Sequence, residues 1–460
     1  MRKTQNIKPF LLILILAVGC VEKMTLPTEI NTPPDFTVGD TTYLILSPIW
    51  DNESHGLLSP VEMSVAPDGH IFVADSAAHQ IHVFGQDGEI LQGFDGLSNL
   101  TSADGSNTNP IDVDVDGKMN TFFIDGSGQI YRWNQLWNDL GVDSVATGGT
   151  FLNTTSGDTF MLTPGSNDWL DATNGEEWEM IDIIWTDNQT TVDSILSPHI
   201  FFDATSLEAQ FDDIYYNSEQ SEYSGLSTSG SYDYLYVTDS YHNRLVRIDF
   251  RRRDLLMLEN GQTVWTHDGT FGHTAVGWGT GAGTVNDPLA VDVDYAGNIY
   301  YAQSGNYFAI HKIKPTTSGN YTNYPSVFQE GVNDIMDLGR FSRPMDVAVD
   351  QKQIVYVANT DEQEIQVFNS DGSFFMKAGV EQYRIEKSEW DPATSEGVVV
   401  DSTESEGIIF YVVEEKGILE SPQAVTVDDR GVIYVCDTPN SRIIRYALSN
   451  TIDEDLVDNP

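Results

Sequence analysis

Basic residues are scarce in this 460-residue chain: 23 Lys and Arg stand against 70 Asp and Glu, for a formal charge of −47. Such a polyanion is a poor partner for nucleic acid or for an anionic membrane surface. Cysteine is scarcer still, with only Cys20 and Cys436. A fold held together by disulfides is thereby excluded. Long apolar runs are confined to Phe10 through Val18, and no later segment is apolar enough to cross a bilayer as a helix. The nine histidines, among them His70, His79, His82 and His242, share no common repeat position, which argues against a histidine zinc site.

Arg2, Lys3 and Lys8 precede the apolar run, and Gly19-Cys20 follows it. Too short to stay in a bilayer, the run reads as a secretory signal over residues 1–20. Its removal takes the charge to −50. Residues 21–40, with Pro27, Pro33 and Pro34, read as a tether. The string Ala17-Val-Gly-Cys20 resembles a bacterial lipobox, although Ala17 stands where that pattern favours Leu. The resemblance implies lipidation of Cys20. Val21 in place of Asp is similar to lipoproteins sent to the outer membrane of Gram-negative cells. The expected location is the bacterial cell envelope, facing the periplasm or the exterior, with the lipid as the only membrane contact.

A pattern recurs along the rest of the chain. A proline opens an apolar stretch, and fifteen residues later an Asp, Asn or Gln closes a second one: Pro60/Asp75, Pro110/Asp125, Pro288/Gln303, Pro344/Asn359 and Pro422/Asp437. A sixth copy, ending at Asp239, lacks the proline. In Pro344–Asp350 apolar residues alternate, Ile354–Ala358 is β-branched and aromatic, and a polar turn leads to Glu364–Phe368. Repeats of short strands and turns predict an all-β, six-bladed β-propeller over residues 41–450. The interval from Asp125 to Asp239 is 114 residues, against 50 to 78 elsewhere, so seven blades are the alternative. Residues 135–224 read as a long acidic insertion between blades two and three, and 451–460 as an acidic tail. The last copy has three strands, and Thr42–Leu46 is a strand without a blade. It is expected to close the ring as the outer strand of the last blade.

The strings Ile71-Phe-Val-Ala-Asp75, Leu235-Tyr-Val-Thr-Asp239 and Ile433-Tyr-Val-Cys-Asp437, each followed by a polar turn, resemble the NHL repeat. The arginine usual in that repeat survives at Arg244 and Arg442. Some propellers of this kind are lyases or lactonases, which the resemblance brings in as an alternative function.

Candidate chemistry is thin. Asp112-Val-Asp-Val-Asp116-Gly117 opens like a calcium loop, but Phe123 stands where the closing carboxylate belongs, so strand and turn is the better account. Calcium between other carboxylates stays open; no other cofactor is expected. Asn109, Asp287 and Arg343, each just before a copy's proline, are candidates for a polar ligand site at the channel mouth. Arg244, Arg247, Arg251, Arg252 and Arg253 form the one basic cluster, with the last three expected in a turn. They are either a docking patch or a counter-patch for the acidic insertion. Cys436 occupies the slot of Ala74, Thr238, Ala302 and Ala358, so a small buried role suffices. Trp137, Trp169, Trp178 and Trp185 of the insertion read as core filling rather than a sugar site. The expected function is a monomeric binding scaffold for a protein or small ligand, with an enzyme at the channel mouth as the alternative.

Overall fold

The computed structural model describes residues 42–449 except 93, 95–96, 102–105, 135–148, 154–158, 163–176, 180–182, 186–198, 205–220, 229–232, 258–262, 306–307, 316–323, 389, 391–397, 406–407 and 417–418. The signal, Cys20, the tether, the acidic tail, Trp137 and Trp169 lie outside the described residues.

Six antiparallel blades form the ring. Their inner strands are Pro60–Val65, Asp112–Val115, Tyr223–Thr228, Pro288–Val293, Pro344–Val349 and Pro422–Val427. Each packs against the next, and the sixth packs against the first. Pro60, Pro288, Pro344 and Pro422 lie directly opposite Asp75, Gln303, Asn359 and Asp437, and Tyr223 takes the same place opposite Asp239. A proline is tolerated there because a strand's first residue can do without a ladder N–H.

Blade two lies directly against blade three, so the 114-residue interval holds no seventh blade. That interval gives the ring His199–Asp203 as the outer strand of blade two and Tyr223–Thr228 as the inner strand of blade three. Gly149–Asn153, Thr159–Leu162 and Ile183–Trp185 form a separate three-stranded sheet. A second added sheet, Val380–Glu386, Val398–Ser405 and Ile408–Lys416, lies in sequence between blades five and six.

The middle strands Ile71–Asp75, Ile299–Gln303, Val355–Asn359 and Ile433–Asp437 are buried at every residue. Each blade is covered on both faces by its neighbours, so alternation gives way to continuous burial. The core is accordingly six apolar layers, one per junction. Tyr356, Ala358 and Val367 of blade five meet Val425, Val435 and Ile444 of blade six in one such layer. Cys436 is fully buried in the layer between blades six and one, beside Ala424 and Ile443.

The ring closes as the sequence predicts. Tyr43–Trp50 pairs antiparallel with Arg442–Leu448, matching Tyr43 with Leu448 and Leu46 with Arg445. Trp50, fully buried, packs on Phe84 of blade one and Tyr434 of blade six, with ring centroids 5.2 and 5.6 Å away. The Arg445 guanidinium lies over its ring at 5.2 Å and reaches the carbonyls of Ser47 and of Gln86 in blade one.

Arg251–Arg253 are not in a turn. They continue a 14-residue strand, Arg244–Met257, paired along its length with Thr263–Val276. Ladder pairing carries the hairpin past the blade, with Arg251 in register with Asp268 and Arg253 with Thr266. Glu177–Glu179, from the acidic insertion, joins this sheet as a fifth strand.

Trp50→Ala is expected to lower stability by about 3–5 kcal/mol in urea unfolding, as for a buried tryptophan. Ile45→Ala, on the same strand but 37% exposed, is expected to cost under about 1 kcal/mol. Equal costs would show that the closing strand contributes only its backbone.

Candidate functional site

Carboxylates in this fold do two structural jobs. The first set ends the middle strands. Asp75 accepts from the Leu58 and Ser59 N–H groups at 2.7 and 2.8 Å, and from Ala78 in the turn beyond at 3.1 Å. Asp437 accepts from Glu420 and Ser421, both at 3.0 Å, and from Arg442 at 2.7 Å. Asn359 and Gln303 do the same for Ser342 and Asn286, both at 2.8 Å. One side chain thus fastens the incoming chain to the end of its own blade. The neighbouring hydroxyl fastens the next blade: Thr360 donates to the Pro422 carbonyl at 2.6 Å and Thr438 to the Pro60 carbonyl at 2.5 Å. Burial pushes the carboxyls of Asp75, Asp239 and Asp437 up. Their hydrogen-bond donors (His82 and three backbone N–H groups, His242 with Arg244, and Asn440 with Arg442) outweigh it and hold all three below the ordinary range.

The second set lines the central channel. Glu62, Asp112, Asp114, Asp292 and Asp346 surround a cavity of about 60 Å³, with Ser64, Ser227 and Thr426. Asp112 accepts from the Leu226 N–H at 2.5 Å and Asp114 from Thr228 at 2.6 Å, both in blade three. Asp292 accepts from Val349 of blade five at 2.7 Å, and Asp346 from Val425 of blade six at 2.8 Å. An inner strand has no strand partner on its axial side, so its N–H groups there need an acceptor. Each aspartate supplies one to the next blade. Gly225 stands where its equivalents are Glu62 and Asp346, because a Cβ there would lie 2.8 Å from the Ala290 Cα.

Beyond the ends of these strands a wider cleft of about 820 Å³ opens over the turns of blades one, five and six. Its polar lining is Asp68, His70, Gln86, Asp87, Asp350, Gln351, Asp428, Asp429 and Arg430. Asp428 holds Arg430 at 2.7 Å and Asp68 holds His70 at 2.8 Å, whereas Asp87 and Asp429 are exposed. The lining contains no Ser, Thr, Cys, Tyr or Lys. Among the described residues no three His, Cys, Asp or Glu groups are placed to ligate a metal.

The residues singled out from sequence lie elsewhere. Asn109, Asp287 and Arg343 are exposed, just ahead of the inner strands of blades two, four and five. Asp287 accepts from the Ser304 hydroxyl, and Arg343 is 3.9 Å from Asp361, each within its own blade. No described contact joins the three. In the arginine cluster, Arg244 is bound to Asp239 at 2.8 Å. Arg247 is bound to Asp249 at 2.5 Å and lies over the Tyr234 ring at 3.9 Å. Both are committed inside the blade, to carboxylates that lie outside the insertion 135–224. The axial carboxylates were visible as Asp112-Val-Asp114, two residues after Pro60 and Pro344 and four after Pro288, but period two alone does not say which face meets an axis.

NHL repeats match at residues 57–84 and 419–446, which are blade one and blade six. The chain carries NHL repeats. No curated protein matches it. Among solved structures, this chain is similar to virginiamycin B lyase from Staphylococcus aureus at 13% identity, covering 89% of this chain and 99% of that one with a TM-score of 0.40. It is also similar to an auxiliary nutrient binding protein from Bacteroides thetaiotaomicron at 10% identity, covering 85% and 69% with a TM-score of 0.44. A gluconolactonase from Xanthomonas campestris is 10% identical over 89% of this chain and 90% of that one, with a TM-score of 0.40.

Thr438→Val, which removes the hydroxyl bond between blades six and one, is expected to cost about 1 kcal/mol. Asp437→Ala is expected to cost about 3 kcal/mol or more, since it strips Arg442 and two backbone N–H groups of their acceptor. The Asp437 carboxyl is lower in the folded protein than in the unfolded chain. Its contribution is therefore present above the ordinary carboxylate range and lost as pH falls through the folded value. In urea titrations at pH 7 and pH 3, the gap between wild type and Asp437→Ala should narrow at pH 3.

Proposed function

We propose that this chain is a lipid-anchored protein of the bacterial cell envelope whose propeller is a binding scaffold, seating its ligand in the cleft over the turns of blades one, five and six. The observation that carries this reading is the cleft itself: about 820 Å³, formed by turns from three blades of a closed ring. Ligand pockets commonly have this size, and a site shared by separate blades is held in shape by the ring. Four of its carboxylates besides Asp428 stand against one arginine, which Asp428 already neutralises. A cationic ligand rich in hydrogen-bond donors, or a basic segment of a partner protein, suits that lining. A lyase or lactonase at this cleft is the second reading, because its carboxylates and His70 are groups that acid–base chemistry uses. Anchorage rests on Arg2, Lys3, Lys8, the apolar run and Cys20.

Spermidine, a lysine tripeptide, calcium chloride and a neutral oligosaccharide serve as calorimetric probes. A cationic probe is expected to bind, and to bind about tenfold more weakly to an Asp87→Asn/Asp429→Asn variant or at high salt. Binding untouched by both changes would discard the cleft as the site. For the anchor, Cys20→Ser in the full chain is expected to move the protein from the membrane fraction to the soluble one. Retention in the membrane would exclude the lipid as its tether.

A further inference from the structure

The channel gathers five carboxylates from four blades around one small cavity, and no Lys, Arg or His lines it. Blade one contributes Glu62, blade two Asp112 and Asp114, blade four Asp292, and blade five Asp346; blades three and six contribute no titratable side chain to this wall. Behind the wall, the buried Cys436 thiol in the middle strand of blade six feels Glu62 and Asp346. The Tyr300 hydroxyl in the middle strand of blade four feels Asp292, and more strongly Asp294, which it hydrogen-bonds. Lys312 lies over the Tyr300 ring at 4.9 Å and meets Asp294, but among the described residues no Lys, Arg or His lines the cavity itself.

The same groups cross the blade junctions. The Ser64 hydroxyl of blade one donates to Asp114 at 2.5 Å, and the Ser227 hydroxyl of blade three donates to Asp292 at 3.4 Å. With the backbone N–H bonds to Asp112, Asp114, Asp292 and Asp346, every junction except that between blades six and one has a carboxylate bridging it at the axis. These bonds favour the ionised carboxylates, so what strains the junctions when protons leave is repulsion among the gathered charges and their burial.

We propose that the channel is a proton-held clasp: near neutral pH the axial carboxylates share one or more protons, and releasing these protons on the alkaline side loosens the blade junctions. Burial, reinforced by Asp114 and Asp346, pushes Asp292 up to about 7, and burial pushes Asp346 up to about 6. Burial raises Asp114, and burial with repulsion from Asp346 lifts Glu62 and Asp112 well above the ordinary range. Folded values above the unfolded ones mean a contribution that is full below the ordinary carboxylate range and lost as pH rises through the folded values. The window runs from about pH 4 to about pH 7 and beyond. It is opposite in sign to that of Asp75, Asp239 and Asp437 at the outer turns.

The test is urea unfolding of the full chain from pH 5 to pH 8.5 at fixed ionic strength, beside Asp292→Asn, Asp346→Asn and the exposed control Asp371→Asn. Wild type is expected to lose about tenfold in its folding equilibrium constant per pH unit for each proton released. The two axial variants should flatten that slope and the control should keep it. An unchanged slope in both axial variants overturns the proposal. So does wild-type stability at pH 8 restored to its pH 5 level by calcium, since the channel would then hold a metal ion. Should the variants fail to fold, infrared difference spectra of folded wild type decide: a protonated-carboxyl band lost between pH 5 and pH 8 supports the clasp, and its absence overturns it.

Discussion

A ring of sheets exists only if its last member is tied to its first. Here that tie is one strand, Tyr43–Trp50, laid against Arg442–Leu448 across nearly the whole length of the chain. Without it blade six would offer an open edge, and the apolar layer around Trp50, Phe84 and Tyr434 would lose its centre. The other five junctions are made between neighbours in sequence and need no such device. Closure of the ring, and with it any cleft shared by blades one, five and six, depends on this pairing together with the Thr438–Pro60 and Arg445–Gln86 bonds across the same junction.

The acidic composition takes on a structural meaning once the ring is closed. At the outer turns, carboxylates are surrounded by N–H donors and arginines and are content to be ionised. At the axis, carboxylates meet one another and are reluctant to be ionised. Both sets are acceptors for backbone N–H groups that a six-bladed ring leaves without strand partners. Their environments differ, so the same residue type answers pH with opposite sign.

Much of this was legible beforehand, because the repeat is written in local terms. Pro60, Pro344 and Pro422 mark strand starts, Asp75, Asn359 and Asp437 mark strand ends, and the spacing of fifteen residues sets them side by side. The candidate site was not legible. Asn109, Asp287 and Arg343 looked equivalent along the chain, yet Asp287 and Arg343 pair within their own blades. Arg251–Arg253 read as a turn because a blade strand should have ended; ladder pairing carries it further.

The sequence by itself determined the repeat of short strands and the strand that closes the ring, since each rests on residues within one repeat or on a strand left over; contact between blades two and three then decided for six blades over seven. Tertiary structure alone decided which carboxylates face the axis and which turns enclose the cleft. Those outcomes depend on the angle between neighbouring blades and on contacts between residues far apart in the chain, such as Asp112 with Leu226 and Asp346 with Val425. Periodicity along one strand carries no information about either.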